Sequence, residues 1–439
     1  MKSSRYWPVL GVVALVVVAG VGLLATRSPS PTVTASSTPI SSATTLSPFV
    51  TATSTASATA TASPSPVSGV ATFPLGPLRG QIAWVTRTSL AAAGSREQRA
   101  VWDYELWALP LDGSTPRLAV RYQSGFRMQN TFDVRDTNIL RRQLSPDGRR
   151  VLLSVATGAN GANQELRIIN LETGAISVPF PTGARVDVDA AWSPDGTRIA
   201  FVRREAAVGR VAFGDLWVAN VDGSGARMLK AGGQASPLRL WGWLPDSQHI
   251  AFDPVNFEHA YLAVLDMNGV ASPQGYEVNS VDPASWRNGS PALAAGINVS
   301  GNVLDHFQIA ISDAPDQRPQ QIVADVTTSP NDNTITGVRD PRWDPSGSRT
   351  LIYVEDGTQG SFVIVDLDAR TTKRVSGRVA RADWLPNGEA IVSLEEHPST
   401  APRSVYVWER DGRLRKSGLF VEATPTTPYT LTDLAARSY

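Results

Sequence analysis

Two hydrophobic patterns take turns along the chain from about Gly80 onward. One is a short continuous apolar run, as in Gln81-Ile82-Ala83-Trp84-Val85, Arg198-Ile199-Ala200-Phe201-Val202 and Arg349-Thr350-Leu351-Ile352-Tyr353-Val354. Runs of this length, rich in β-branched and aromatic residues, predict buried strands. The other pattern alternates apolar and polar positions and closes on a turn, as in Leu216-Trp217-Val218-Ala219-Asn220-Val221-Asp222-Gly223 and Val405-Tyr406-Val407-Trp408-Glu409-Arg410-Asp411-Gly412. Asp-Gly after an alternating run predicts a hairpin. A short polar strand follows, such as Ala226-Arg227-Met228-Leu229-Lys230 or Thr372-Lys373-Arg374-Val375.

A recurring phrase introduces each apolar run. Trp192-Ser193-Pro194-Asp195-Gly196 returns as Leu144-Ser145-Pro146-Asp147-Gly148, Trp243-Leu244-Pro245-Asp246-Ser247, Trp343-Asp344-Pro345-Ser346-Gly347 and Trp384-Leu385-Pro386-Asn387-Gly388. Trp286-Arg287-Asn288-Gly289-Ser290 is a degenerate copy. Proline presets φ for the turn, aspartate caps it and glycine takes the permissive backbone. Copies recur at intervals on the order of 40 to 57 residues, the range of propeller blades. A strand ending in the turn, the apolar strand, the alternating strand and the polar strand make four antiparallel strands, one blade. The expected fold is therefore all-β, a β-propeller of about seven four-stranded blades. The first unit lacks a copy of the inner strand. Ring closure must supply it, from the tail that includes Tyr429-Thr430-Leu431-Thr432-Asp433-Leu434 or, alternatively, from Val70-Ala71-Thr72-Phe73.

The Trp-Ser-Pro-Asp-Gly turn, the Ile-Ala-Phe strand after it and the Leu-Trp-Val hairpin resemble TolB-type β-propeller repeats, over about Gly80 to Val421. The resemblance implies extracytoplasmic binding and scaffolding. Related repeats also form the non-catalytic propellers of prolyl oligopeptidase-type peptidases, which carry a separate α/β-hydrolase domain. No Gly-x-Ser-x-Gly nucleophile elbow occurs here. TolB proteins typically carry an additional N-terminal α/β domain. In this chain a different pair of segments occupies that place.

Residues 1–27 read as a membrane anchor: Lys2 and Arg5 precede an uncharged, mostly apolar run from Tyr6 to Thr26. About 20 apolar residues in a helix cross a bilayer, and the positive start favours export of the remainder. A cleaved signal peptide is the alternative, although Leu23-Leu24-Ala25 puts leucine where cleavage wants a small residue. Residues 28–69 are Ser, Thr, Ala and Pro with almost no charge. Such a segment cannot bury enough apolar area to offset its ordering entropy, and predicts a disordered stalk. Residues 70–439 carry the repeats. The sequence thus places the C-terminal domain outside the cytoplasm, on a single-pass anchor or secreted.

Charge narrows the partners. Forty basic residues balance forty acidic ones, so no global field draws the chain to nucleic acid. Absence of cysteine excludes disulfides, thiolate metal sites and a cysteine nucleophile. His249, His259, His306 and His397 share no metal-ligand spacing, and no phosphate-cradling glycine loop or Rossmann fingerprint occurs. No cofactor is expected. The expected partners are the membrane, through the N-terminal segment, and a protein, peptide or glycan.

Candidate binding residues are those just before the turns, on strands that line a propeller's central channel. They are Arg141, Arg142, Asp189, Asp282, Arg339, Asp340, Arg381 and Asp383, with Trp241 as a stacking candidate. Mixed charge there suits a polar ligand or a peptide terminus. The alternative is a set of charges that pair with one another. The expected function is non-catalytic binding or scaffolding; a hydrolase or lyase at the channel mouth is the alternative. The tryptophans at 192, 243, 286, 343 and 384 recur at one repeat position, which predicts core between blades.

Overall fold

The computed structural model describes residues 69–438, except for segments 79–80, 90–101, 113, 125–138, 158–162, 182–184, 206–213, 233–237, 255–259, 272–275, 279–284, 287–292, 299–306, 313–320, 326–336, 357–358, 376–378, 395–402 and 422–428. The expected anchor and stalk, and the long insertions after Ser89 and Asp325, lie outside the described residues. Among the described residues no helix is long and apolar enough to cross a membrane. All of them belong to one unit, Ala62–Tyr439.

The elements follow the predicted repeat. First come β1 (Val70–Thr72), β2 (Gln81–Ser89), β3 (Trp102–Pro110) and β4 (Arg117–Ser124), then α1 (Ile139–Gln143), β5 (Arg150–Thr157), β6 (Asn163–Asn170) and β7 (Ile176–Ser177). Next are β8 (Arg185–Trp192), β9 (Arg198–Glu205), β10 (Asp215–Asn220) and β11 (Arg227–Lys230), and β12 (Leu238–Trp243), β13 (His249–Pro254), β14 (Ala260–Asp266) and β15 (Tyr276–Val278). Then β16 (Ser285–Trp286), β17 (Leu293–Asn298), β18 (Phe307–Ser312) and β19 (Gln321–Asp325) precede β20 (Gly337–Trp343), β21 (Arg349–Asp356), β22 (Gln359–Asp366) and β23 (Thr371–Val375). The last are β24 (Val379–Trp384), β25 (Ala390–Leu394), β26 (Arg403–Trp408), β27 (Leu414–Val421) and β28 (Tyr429–Ser438).

Among the described residues these strands form four four-stranded sheets, β12–β15, β16–β19, β20–β23 and β24–β27, each in chain order. A five-stranded sheet has the order β1-β4-β3-β2-β28, and a seven-stranded sheet holds β5 to β11. Every pairing is antiparallel but one, the single parallel pair Gln164–Val186 between β6 and β8. The architecture is all-β and propeller-like. Strands that open the sheets face one another: α1 lies against β28 and β8, β8 against β12, β16 against β20, β20 against β24, and β24 against β28. The last sheet therefore packs on the first.

Both candidate closing segments enter the same sheet, at opposite edges. Tyr429–Ser438 pairs with Gln81–Ser89 as the inner strand. Val70–Thr72 pairs with Val120–Tyr122 on the outer edge. The chain after β1 then straps the next repeat: the Leu75 amide donates to the Leu171 carbonyl at 3.0 Å and the Gly76 amide to the Glu172 carbonyl at 3.0 Å.

One inner strand differs from expectation. Ahead of Leu144-Ser145-Pro146-Asp147 the chain forms the helical turn α1, and only an isolated bridge, Leu144–Val151, remains of the strand. The segment Ile139-Leu140-Arg141-Arg142-Gln143 explains it: four of the five residues are unbranched at Cβ and favour helix.

The core is divided among sheet-to-sheet seams. One apolar cluster joins Trp84, Tyr104 and Leu106 of the first sheet to Leu144, Val151 and Leu153 of the next repeat. Others join β8–β11 to β12–β14, β21–β22 to β24–β26, and β25–β26 to β2, β3 and β28. The apolar strands are buried on both faces, which is why they read as continuous runs.

The turns are held as their sequence requires. Ser193 Oγ donates to Asp195 Oδ1 at 2.6 Å, and the same carboxylate oxygen accepts from the Thr197 amide at 3.0 Å. Gly196 takes a φ of 71°. In Trp343-Asp344-Pro345 the aspartate has moved to the serine position, where it accepts from the Arg349 amide at 3.1 Å.

Candidate functional site

Just before each turn the inner strands lose register against their neighbours. The shift falls between Val188 and Ala191 on β8, Leu240 and Gly242 on β12, Arg339 and Arg342 on β20, and Val379 and Arg381 on β24. Such bulges re-aim side chains. Asp189 sits in the first of them with φ 57°, a left-handed backbone that is costly for a non-glycine residue.

The re-aimed charges form two matching relays, each tying three successive repeats. In the first, Arg142 Nη2 donates to Asp189 Oδ1 at 2.9 Å, and Nη1 reaches the carbonyls of Leu240 and Trp241. Asp189 Oδ2 accepts from the Leu240 amide at 3.2 Å. In the second, Arg342 Nη1 lies 3.6 Å from Asp383 Oδ1 and donates to the Leu434 carbonyl at 3.0 Å. Asp383 Oδ2 accepts from the Ala436 amide at 2.8 Å. In both, an arginine of one repeat holds an aspartate of the next and a carbonyl of the one after. Arg141 Nη1, 3.7 Å from Asp383 Oδ1, links the two. Arg342 and Asp383 are 0% and 1% exposed, so these are interior ion pairs.

A second device repeats at the same seams. Trp192 Nε1 donates to the Gln143 carbonyl at 2.7 Å, Trp243 Nε1 to that of Ala191 at 3.3 Å, and Trp384 Nε1 to that of Arg342 at 2.7 Å. Each acceptor lies one residue before the turn of the preceding repeat. The same preceding repeat lays a guanidinium on the indole: Arg150 on Trp192 at 4.6 Å, Arg198 on Trp243 at 5.2 Å and Arg349 on Trp384 at 4.8 Å. These tryptophans are seam residues, as their recurrence predicts.

The sequence-predicted candidates therefore separate. Arg141, Arg142, Asp189 and Asp383 come together in the relays. Trp241 is buried beside them, with the Arg239 guanidinium 5.4 Å from its ring. Arg381 is half-buried on β24. Arg339 and Asp340 lie on β20, and their side chains and Asp282 are outside the described residues.

Sequence reasoning missed Arg342 and Arg204. Arg342 precedes Trp343 as Asp383 precedes Trp384, so the repeat alignment held the signal. Arg204 lies on β9 opposite Val186. Its stem passes Gly214, where a Cβ would stand 2.8 Å from Arg204 Cγ. Its buried Nε has no hydrogen-bond partner among the described residues. Burial lowers the basicity of the Arg204 guanidinium; the Asp189 carboxylate opposes this and the Arg239 cation adds to it. Among the described residues no cluster of three or more His, Asp or Glu could hold a metal ion.

No family model matches the chain, and no curated protein matches it. Solved structures do. TolB from Acinetobacter baumannii aligns at 16% identity and a TM-score of 0.41, over 67% of this chain and 63% of that one. The chain is similar to TolB-type β-propellers. The β-propeller domain of the Trilobed protease from Pyrococcus furiosus aligns at 16% identity and a TM-score of 0.43, over 62% of this chain and 82% of that one. That domain is described as having an open velcro topology, whereas here β28 pairs with β2. The acylaminoacyl peptidase of Pyrococcus horikoshii aligns at 17% identity and a TM-score of 0.41, over 61% of this chain and 43% of that one. The TolB-like resemblance drawn from the repeats thus has a TolB structure beside it, at the level of fold.

Proposed function

We propose that this chain is a membrane-anchored, extracytoplasmic β-propeller that binds a protein, peptide or cell-envelope ligand without transforming it. The ring has about seven blades in this reading. The seven-stranded sheet counts as two, divided at the Gln164–Val186 pair, with α1 and Leu144 as the inner element of one.

The observation that carries the reading is the state of the inner-strand carboxylates. Asp189 and Asp383 are each held by an arginine and by a backbone amide of the following repeat. Carboxylates held this way keep geometry; a general acid or base needs a proton to move at an open site. The side chains left part-exposed on the inner elements, Arg141, Arg239 and Arg381, are cations that do not titrate near neutrality.

The test uses the full chain reconstituted in lipid vesicles. Protease added outside should digest the C-terminal domain in one orientation and leave a short membrane fragment. Binding of envelope peptides and glycan fragments should saturate and return each ligand unchanged. Turnover of any of them would replace this reading with the hydrolase or lyase one.

A further inference from the structure

Asp189 lies at the centre of an uneven group of charges. Three guanidinium groups gather near it: Arg142 by direct contact at 2.9 Å, and Arg204 and Arg239 from β9 and β12, which pack together. The described carboxylates are Asp189 itself and Asp253, the cross-strand neighbour of Arg239. Asp187, the next carboxylate on β8, is occupied by Arg203 in a two-pronged pair at 2.7 and 2.8 Å. The balance is one positive charge in excess, and Arg204 is the cation whose Nε has no described acceptor.

Arg204 and Arg239 stand at the end of β9 and β12 away from the Pro-Asp turns. A desolvated guanidinium left without an acceptor costs stability, so its retention calls for something that compensates it. Burial and the Arg239 field both weaken the Arg204 cation, and an incoming anion would relieve both.

We propose that Arg204 and Arg239 form a receptor for one carboxylate group of the ligand bound at the inner face. This rests on the binding reading above and names the chemistry of what is bound. A carboxylate is favoured over phosphate because the local excess is a single charge, which a monoanion neutralises and a phosphate dianion exceeds. A guanidinium also meets a carboxylate through parallel N–H donors.

The experiment is thermal unfolding of the detergent-solubilised full chain in acetate, inorganic phosphate or chloride at matched ionic strength, with Arg204→Met and Arg204→Lys beside the native protein. Acetate should raise the native midpoint above that in chloride. Arg204→Met keeps the stem against Gly214 and removes the charge. It should unfold at a higher temperature than the native chain in chloride, and its acetate response should weaken about tenfold or more in apparent affinity. Arg204→Lys should retain part of the response.

Native and Arg204→Met proteins that respond equally to acetate would overturn the proposal. So would an Arg204→Met protein less stable than the native chain with its acetate response intact, which marks a packing residue. A phosphate response without an acetate response would overturn the carboxylate assignment. Should envelope ligands still bind with Arg204→Met at native affinity, this inference fails alone. Absence of all ligand binding would instead fail the binding reading.

Discussion

Trp384 Nε1 donates to the backbone carbonyl of Arg342 at 2.7 Å, across the seam between two successive sheets. The donor is a repeat-specific side chain and the acceptor a main-chain group of the repeat before it. Trp192 and Gln143 stand in the same relation. This bond fixes one sheet against the next without regard to the side chain that precedes the turn.

Replacing the indole while keeping an aromatic ring isolates the bond. Trp384→Phe and Trp192→Phe should each lose about 1–3 kcal/mol, the cost of a buried carbonyl left without its donor together with lost packing. Trp243→Phe should lose less, since its bond is longer at 3.3 Å. Chemical denaturation of the three variants against the native chain measures this, with equal losses at all three counting against it.

The Arg342–Asp383 relay should behave as a buried ion pair. Asp383→Ala leaves the fully buried Arg342 uncompensated and should cost about 3–5 kcal/mol. Arg342→Met combined with Asp383→Leu should recover much of that loss. A double-mutant cycle with no coupling between the two positions would rule out the relay.

Acid should loosen the turns. Burial pushes the Asp195 carboxyl up, but hydrogen bonds from the Ser193 hydroxyl and the Thr197 amide and hydroxyl, with the field of Arg198, outweigh it and hold the pKa below its ordinary value. Asp147 is lowered against burial by the corresponding Ser145 and Arg149 donors. A depressed folded pKa contributes stability above the unfolded value of about 3.9, and that contribution is lost as pH falls through the folded value. Stability should therefore drop below about pH 4. Asp195→Asn should flatten the curve there, which unfolding midpoints across an acid pH series would show.

Glycine at the Asn220–Ser224 turn is required by space as well as by backbone. Gly223 has φ 87° and a Cβ there would stand 2.0 Å from the Pro179 carbonyl oxygen. Gly76 has φ 71° and nothing within 4 Å of such a Cβ. Gly223→Ala should therefore destabilise clearly more than Gly76→Ala, whose cost is that of the left-handed backbone alone, about 1 kcal/mol. Equal midpoints for the two variants would contradict this.

What the sequence disclosed follows from range. The apolar runs, the turns at Ser193 to Gly196 and the recurrent Trp192, Trp243 and Trp384 are local signals or repeats of one, and they can be read directly. The relays could not be read, because Arg142 and Asp189 are 47 residues apart and Arg342 and Leu434 are 92 apart. Their meeting depends on bulges that alter where side chains aim, and alternation along a strand does not encode a bulge. The helix α1 was hidden behind a turn motif that is otherwise always preceded by a strand. Arg204 lies within an apolar strand whose repeat register gives it no distinction.

The pairing of Tyr429–Ser438 with Gln81–Ser89 sets an order of events during synthesis. The exposed flank of β2 waits, unpaired, while every intervening sheet is translated, and a naked strand flank invites pairing with another chain. A ribosome that stalls or terminates before Tyr429 would release a nearly finished ring with that flank open. Such products should appear as aggregates for the quality-control machinery to clear, rather than as a shortened protein that still works.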